Sequence, residues 1–183
     1  MNSAAVGASM VLGLRLPLGG GDAGITDGCT RNASIRIDGD GKVFVTVPGL
    51  RTGQGIYNSI AMLVADQLDV ALNQVHLVDV LPKEGSRDML AIDNPEAIPG
   101  ALKLLGEAGA TARAMLTAAA AERWAVNARS CHAHQGEVIH TPTWRKLRYG
   151  ELTIAAAYRP IPKEVELKMT PAESRREQPG DPA

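Results

Sequence analysis

Aromatic residues are scarce: one Phe, three Tyr and two Trp in 183 residues. A stacking surface for single-stranded nucleic acid needs several exposed rings, so the count argues against that partner. Charge of one sign is lacking as well. Nineteen Lys and Arg stand against twenty Asp and Glu, for a net charge of -1. No overall basic field exists to draw in nucleic acid. There are two cysteines, Cys29 and Cys131, far apart in the chain. They form no CxxC pair and no zinc ligand set, and a single disulfide between them stays open. No apolar run reaches the roughly 18–20 residues of a membrane-spanning helix.

What remains is an ordinary globular balance, 45% hydrophobic and 21% charged. The length suits one domain or a little more. Such a chain buries roughly two thirds of its unfolded surface, enough for a real core.

The N-terminus is unusual. Ala4 to Leu18 is apolar, rich in small residues and broken by Arg15. It looks like the apolar region of an export signal, yet no basic residue precedes it. A disordered or partly buried leader is the competing reading. Gly19-Gly20-Gly21 reads as a flexible link, so residues 1–31 are expected to be leader and linker.

The first firm element is a β-hairpin. Apolar residues alternate in Ser34–Asp38 and again in Val43–Val47, around Gly39-Asp40-Gly41. Gly53-Gln54-Gly55 then opens a helical pattern of Ile56, Ile60, Leu63, Val64 and Leu68. Val75–Leu81 reads as a strand stopped by Pro82. Lys83 to Gly100 reads as a loop, and an alanine-rich helix is expected from about Ala101 to Trp124. Gly106 and Gly109 inside it permit close approach of another backbone. Cys131–His140 reads as a second hairpin around Gln135-Gly136, and Tyr149–Tyr158 as a short helix. Residues 169–183 have almost nothing to bury and are expected to be a disordered tail. The expected fold is α+β: a small sheet, made of the hairpin and a further strand, covered by helices.

Gly53, Gln54 and Gly55 are the candidate site. Glycines between a strand and a helix let the backbone approach a ligand closely. The first helical turn has free N–H groups and the positive end of the dipole, suited to phosphate. A simple turn explains the same three residues. His132 and His134 share a strand face, but a metal site needs a further ligand. Asp66 and Asp69 are expected on the solvated side of their helix.

The order of pieces resembles a known family. The residues that carry the resemblance are Ile35-Arg36-Ile37-Asp38 through Val47, Gly53-Gln54-Gly55, and Ala65 to Val70. Further on are Ala108 to Leu116, Ala118 to Trp124, Cys131, Gly136 to His140, and Tyr149-Gly150-Glu151-Leu152. Together they resemble the N-terminal part of the molybdopterin-binding large subunit of the xanthine dehydrogenase and aldehyde oxidase family. The branch that looks nearest is the isoquinoline 1-oxidoreductase beta subunit and related aldehyde dehydrogenases. The resemblance covers residues 32–168, which it marks as a partial molybdopterin-binding domain. It implies a molybdenum–molybdopterin cofactor, with Gly53, Gln54 and Gly55 in the pterin-binding region. It implies hydroxylation of aldehydes or N-heterocycles with water as oxygen donor. The implied partners are the remaining domains of the large subunit and an iron–sulfur small subunit. Export to the periplasm is also implied, although the twin-arginine pair is absent.

Two departures stand out. Arg51-Thr52 stand where the family has an acidic residue and Met. Lys83 to Gly100 replaces a glycine- and serine-rich segment. No residue takes the role of the family's carboxylate base. The expectation is therefore a fragment of a molybdenum hydroxylase, inactive alone. The alternative is a non-catalytic relic or interaction domain that keeps the fold without the cofactor.

Overall fold

The computed structural model describes residues 2–6, 9–15, 32–48, 54–80 and 97–168. Alternation dictates its centre. Strands β3 (Asn32–Ile37) and β4 (Val43–Pro48) pair antiparallel, Ile35 against Val45 and Ile37 against Val43. These four and Val47 are buried on one face. Each fully buried side chain of this size contributes about 1.5–3 kcal/mol. The connecting turn is closed by the Asp38 amide donating to Lys42 O at 2.9 Å. Gly41 sits at φ +79°, a conformation glycine adopts without strain.

Helix α1 (Gln54–Leu68) returns the chain so that β5 (Val75–Val80) adds parallel to β4. Ile60, Val64 and Leu68, four residues apart, form its buried stripe. The expected sheet of hairpin plus strand is therefore present. It is also larger than expected. Strands β1 (Asn2–Val6) and β2 (Ser9–Arg15) extend it to the order β1-β2-β3-β4-β5. Both strands lie within the stretch read from the sequence as leader and linker, residues 1–31. Met10 pairs with Ile37 and Leu12 with Ile35, and both Met10 and Leu12 are buried in the core. The apolar stretch is used as a strand: β3 pairs with its backbone, and the helices packed on the sheet cover its apolar face. The stretch between β2 and β3, with its glycine link, and the expected tail at 169–183 lie outside the described residues.

Helix α2 (Ala97–Trp124) begins earlier than the sequence suggests. The expected loop from Lys83 lies outside the described residues up to 96, but Ala97 to Gly100 are helical. Pro99 is tolerated there because the first-turn amides have no intrahelical acceptor. Leu105, Ala108, Ala112, Met115, Leu116 and Ala119 of α2 join the sheet's apolar face and α1 in one core. At Gly109 the two helices approach closely. A Cβ built there would lie 2.9 Å from Gln67 Cβ, so only glycine lets α1 and α2 meet at this distance.

The second module is a three-stranded antiparallel sheet of β6 (Cys131–His134), β7 (Glu137–His140) and β8 (Arg145–Arg148). The hairpin around Gln135-Gly136 is as expected. Strand β8 is not read from the sequence. Its Leu147 pairs with Val138, and both are buried. Helix α3 (Tyr149–Ala157) follows directly and buries Tyr149, Leu152, Ala156 and Ala157. The fold is α+β, as expected, with small sheets and three α-helices among the described residues.

Candidate functional site

The start of α1 offers the clearest backbone donor set. Gln54 and Gly55 form its first turn, and Gly53 lies outside the described residues. The opening amides of a helix have no intrahelical acceptor. Among the described residues, a Cβ built on Gly55 meets nothing within 4 Å. No carboxylate stands in the first turn of α1 to oppose an anion. The Ser59 hydroxyl donates to Gly55 O at 2.9 Å and ties down the turn. The arrangement can bind an anionic group through N–H donors and the helix dipole.

The histidines are placed elsewhere and do not converge. His132 Nδ1 lies 3.0 Å from Thr141 Oγ1, and His140 Nδ1 lies 2.7 Å from Thr143 Oγ1. His76 stacks on Phe44 with centroids 5.3 Å apart. Among the described residues, no group of three or more His, Cys, Asp or Glu could hold a metal. Cys131 is buried, and burial pushes its thiol up, away from the reactive thiolate.

Asp66 and Asp69 correct an expectation. Neither is simply solvated. Asp66 Oδ2 is buried and has no hydrogen-bond partner among the described residues. Asp69 pairs with Lys168, and its φ of 58° ends α1 in the left-handed region. The Asp69 carbonyl then accepts from the Gly136 amide at 2.7 Å. Gly136 O in turn accepts from the Tyr149 amide at 2.9 Å. The Tyr149 hydroxyl donates to Leu68 O at 2.6 Å, fully buried. This knot joins the end of α1, the β6–β7 turn and the start of α3. Gln67 adds a second tie: its amide donates to Lys168 O at 2.7 Å and accepts from Lys168 N at 3.0 Å.

A cleft of about 830 Å³ lies between α2, β6 and residues 166–168. The alanines Ala110, Ala114 and Ala118 contribute to its lining. At its side Arg113 donates to Glu166 O at 2.6 Å. None of its lining residues belongs to the start of α1, so the two features are separate. The sequence does not announce this cleft because its walls come from four separate segments: Asp69, α2, residues 128–133 and residues 166–168.

No helix among the described residues is long and apolar enough to cross a membrane. Residues 4–182 match the family model of the molybdopterin cofactor-binding domain. The chain is 31% identical over 132 residues to the beta chain of isoquinoline 1-oxidoreductase from Brevundimonas diminuta. It is 32% identical over 109 residues to one of the subunits of nicotinate dehydrogenase from Pseudomonas putida. These matches cover 66% and 57% of this chain, but only 16% and 9% of the relatives. The Cu,Mo carbon monoxide dehydrogenase shares the fold at a TM-score of 0.52, with 18% identity, over 64% of this chain and 15% of that one. Quinoline 2-oxidoreductase from Pseudomonas putida 86 aligns at a TM-score of 0.49 and 22% identity, over 68% of this chain and 16% of that one. The match across nearly the whole chain decides the assignment: this chain belongs to the molybdopterin cofactor-binding domain family.

Proposed function

We propose that this chain forms one wall of the cofactor site of a molybdenum-containing oxidoreductase that hydroxylates N-heterocycles or aldehydes. The observation that carries the reading is the family match over residues 4–182. Isoquinoline and nicotinate, in the names of two relatives, are N-heterocycles, which supports that substrate class. In this reading Gly53, Gln54 and Gly55 bind the anionic part of molybdopterin. Their N–H groups orient it, and the helix dipole favours its charge. When bound, the cofactor supplies the oxidising chemistry, with water as the oxygen donor. The chain itself binds and positions. It holds no group that we assign as the base.

The remaining walls, in this proposal, come from further polypeptide of the large subunit, and an iron–sulfur small subunit takes the electrons. A large cofactor is held tightly only when most of its surface is enclosed. The start of α1 supplies one wall, so the 183-residue chain alone is expected to be inactive. Metal analysis of the purified chain should find no stoichiometric molybdenum. A dye-coupled assay on N-heterocycles and aldehydes should show no turnover. One molybdenum per chain together with turnover would overturn the expectation of inactivity.

A further inference from the structure

The β6–β8 module carries a charge that the rest of the chain does not. Between positions 129 and 148 stand Arg129, Arg145, Lys146 and Arg148 against the single carboxylate of Glu137, in a chain of net charge -1. The sheet gathers part of this charge on one surface. Cys131, Val138 and Leu147 are buried on the core face. Strand alternation then sets His132, His134, Lys146 and Arg148 on the other face. Register orders them in two rows. His132, Ile139 and Lys146 are cross-strand neighbours, and so are His134, Glu137 and Arg148. Lys146 lies 3.6 Å from Glu137, which answers one charge. Arg129 and Arg148 form no ion pair among the described residues.

Trp144, at the tip of the β7–β8 hairpin, adds an independent observation. Its amide donates to His140 O at 2.8 Å, closing the turn. Its φ is 56°, a left-handed conformation that bulky residues rarely adopt. Glycine or asparagine fills such a slot with less strain. The residue is 69% exposed, so burial within the fold does not offset the strain. A strained, exposed tryptophan just before the strand that carries Lys146 and Arg148 has the character of a binding anchor.

Strand β8 lies at the end of its sheet, so one of its edges is open among the described residues. Positive charges on an edge strand discourage pairing with a like copy. The same charges select a strand of opposite sign. We propose that β8, Trp144 and the outer face of this sheet dock an acidic polypeptide segment, laid along the open edge as an added strand. Main-chain hydrogen bonds would give affinity, and Lys146, Arg148 and Trp144 would give selectivity. One exposed ring and two outer-face cations, Lys146 and Arg148, make a poor lipid anchor or nucleic-acid track. This inference does not depend on the cofactor reading.

The test uses the whole chain and a fluorescein-labelled 12-residue peptide of alternating Glu and Val, followed by anisotropy. A Lys–Val peptide, phosphatidylserine vesicles and duplex DNA are the comparison probes. The Glu–Val peptide should bind saturably, and the other three at least tenfold more weakly. Paired substitution Lys146→Gln with Arg148→Gln should weaken binding tenfold or more. Trp144→Gly should weaken it by a similar factor while raising Tm by roughly 2–4 °C, because strain is relieved. A rise in Tm with unchanged binding would overturn the proposal. So would equal binding of the two peptides, no binding of either, or stronger binding to vesicles or DNA.

Discussion

Substituting Gly150 with alanine should lower stability by about 3 kcal/mol or more, near the top of the range for overpacked sites. A Cβ built at Gly150 would fall 1.8 Å from Gly39 O and 2.5 Å from Gly39 C. Both atoms are backbone, so no side-chain rotation can relieve the clash. The first turn of α3 rests directly on the β3–β4 turn, and one of the two must move. In thermal unfolding the expected drop is roughly 6–12 °C. Gly100→Ala is the matching control. Among the described residues nothing lies within 4 Å of a Cβ there, and alanine suits a helix better. Its Tm should stay level or rise slightly. If Gly150→Ala also left Tm unchanged, the close packing of α3 on the hairpin would be wrong.

Tyr149→Phe should cost about 1–3 kcal/mol at neutral pH. Phenylalanine keeps the ring but leaves Leu68 O, which accepts at 2.6 Å, without its buried donor. The effect should also depend on pH. Burial, with the charge of Asp69 adding to it, raises the Tyr149 pKa well above the ordinary tyrosine value. In the unfolded chain the phenol ionises near pH ~10. A raised folded pKa means a contribution fully present below pH ~10 and lost as pH rises beyond it. Urea unfolding of both proteins at pH 7 and at pH 11 reads this directly. The gap between them should be widest at pH 7 and narrow at pH 11. A gap that is constant or grows with pH would contradict the buried neutral phenol.

Some elements were legible in the sequence because local signals agree with the fold. The β3–β4 hairpin shows alternation on both sides of a glycine turn, and α1 shows a clean helical stripe. Other elements owe their form to distant partners. In Ser9–Arg15 the apolar residues are nearly continuous, so alternation does not announce a strand. Only the pairing of Met10 with Ile37 and Leu12 with Ile35 reveals it. In Arg145–Arg148 a single apolar residue, Leu147, faces the core, and β7 imposes the strand. Pro99 suggests a loop, yet a proline in the first turn of α2 leaves no hydrogen bond broken. Tyr149-Gly150 was visible as a motif, but its reason was not. The reason is a carbonyl of Gly39, more than a hundred residues away in sequence. The candidate site was legible to the same limited extent. Gly53-Gln54-Gly55 marks a helix start, and Gln54 does open α1. The cleft beside Arg113 has no local signature at all.

The central claim is that the start of α1 binds the anionic part of the cofactor. Titration of the isotopically labelled chain with pyrophosphate, followed by amide NMR, tests it most directly. The amides of Gln54, Gly55, Ile56 and Tyr57 should shift in a saturable way, with affinity of roughly millimolar order because one wall is present. The shifts should weaken as salt is added. If those four amides stay in place while others move, the anion binds elsewhere and Gly53-Gln54-Gly55 is only a turn.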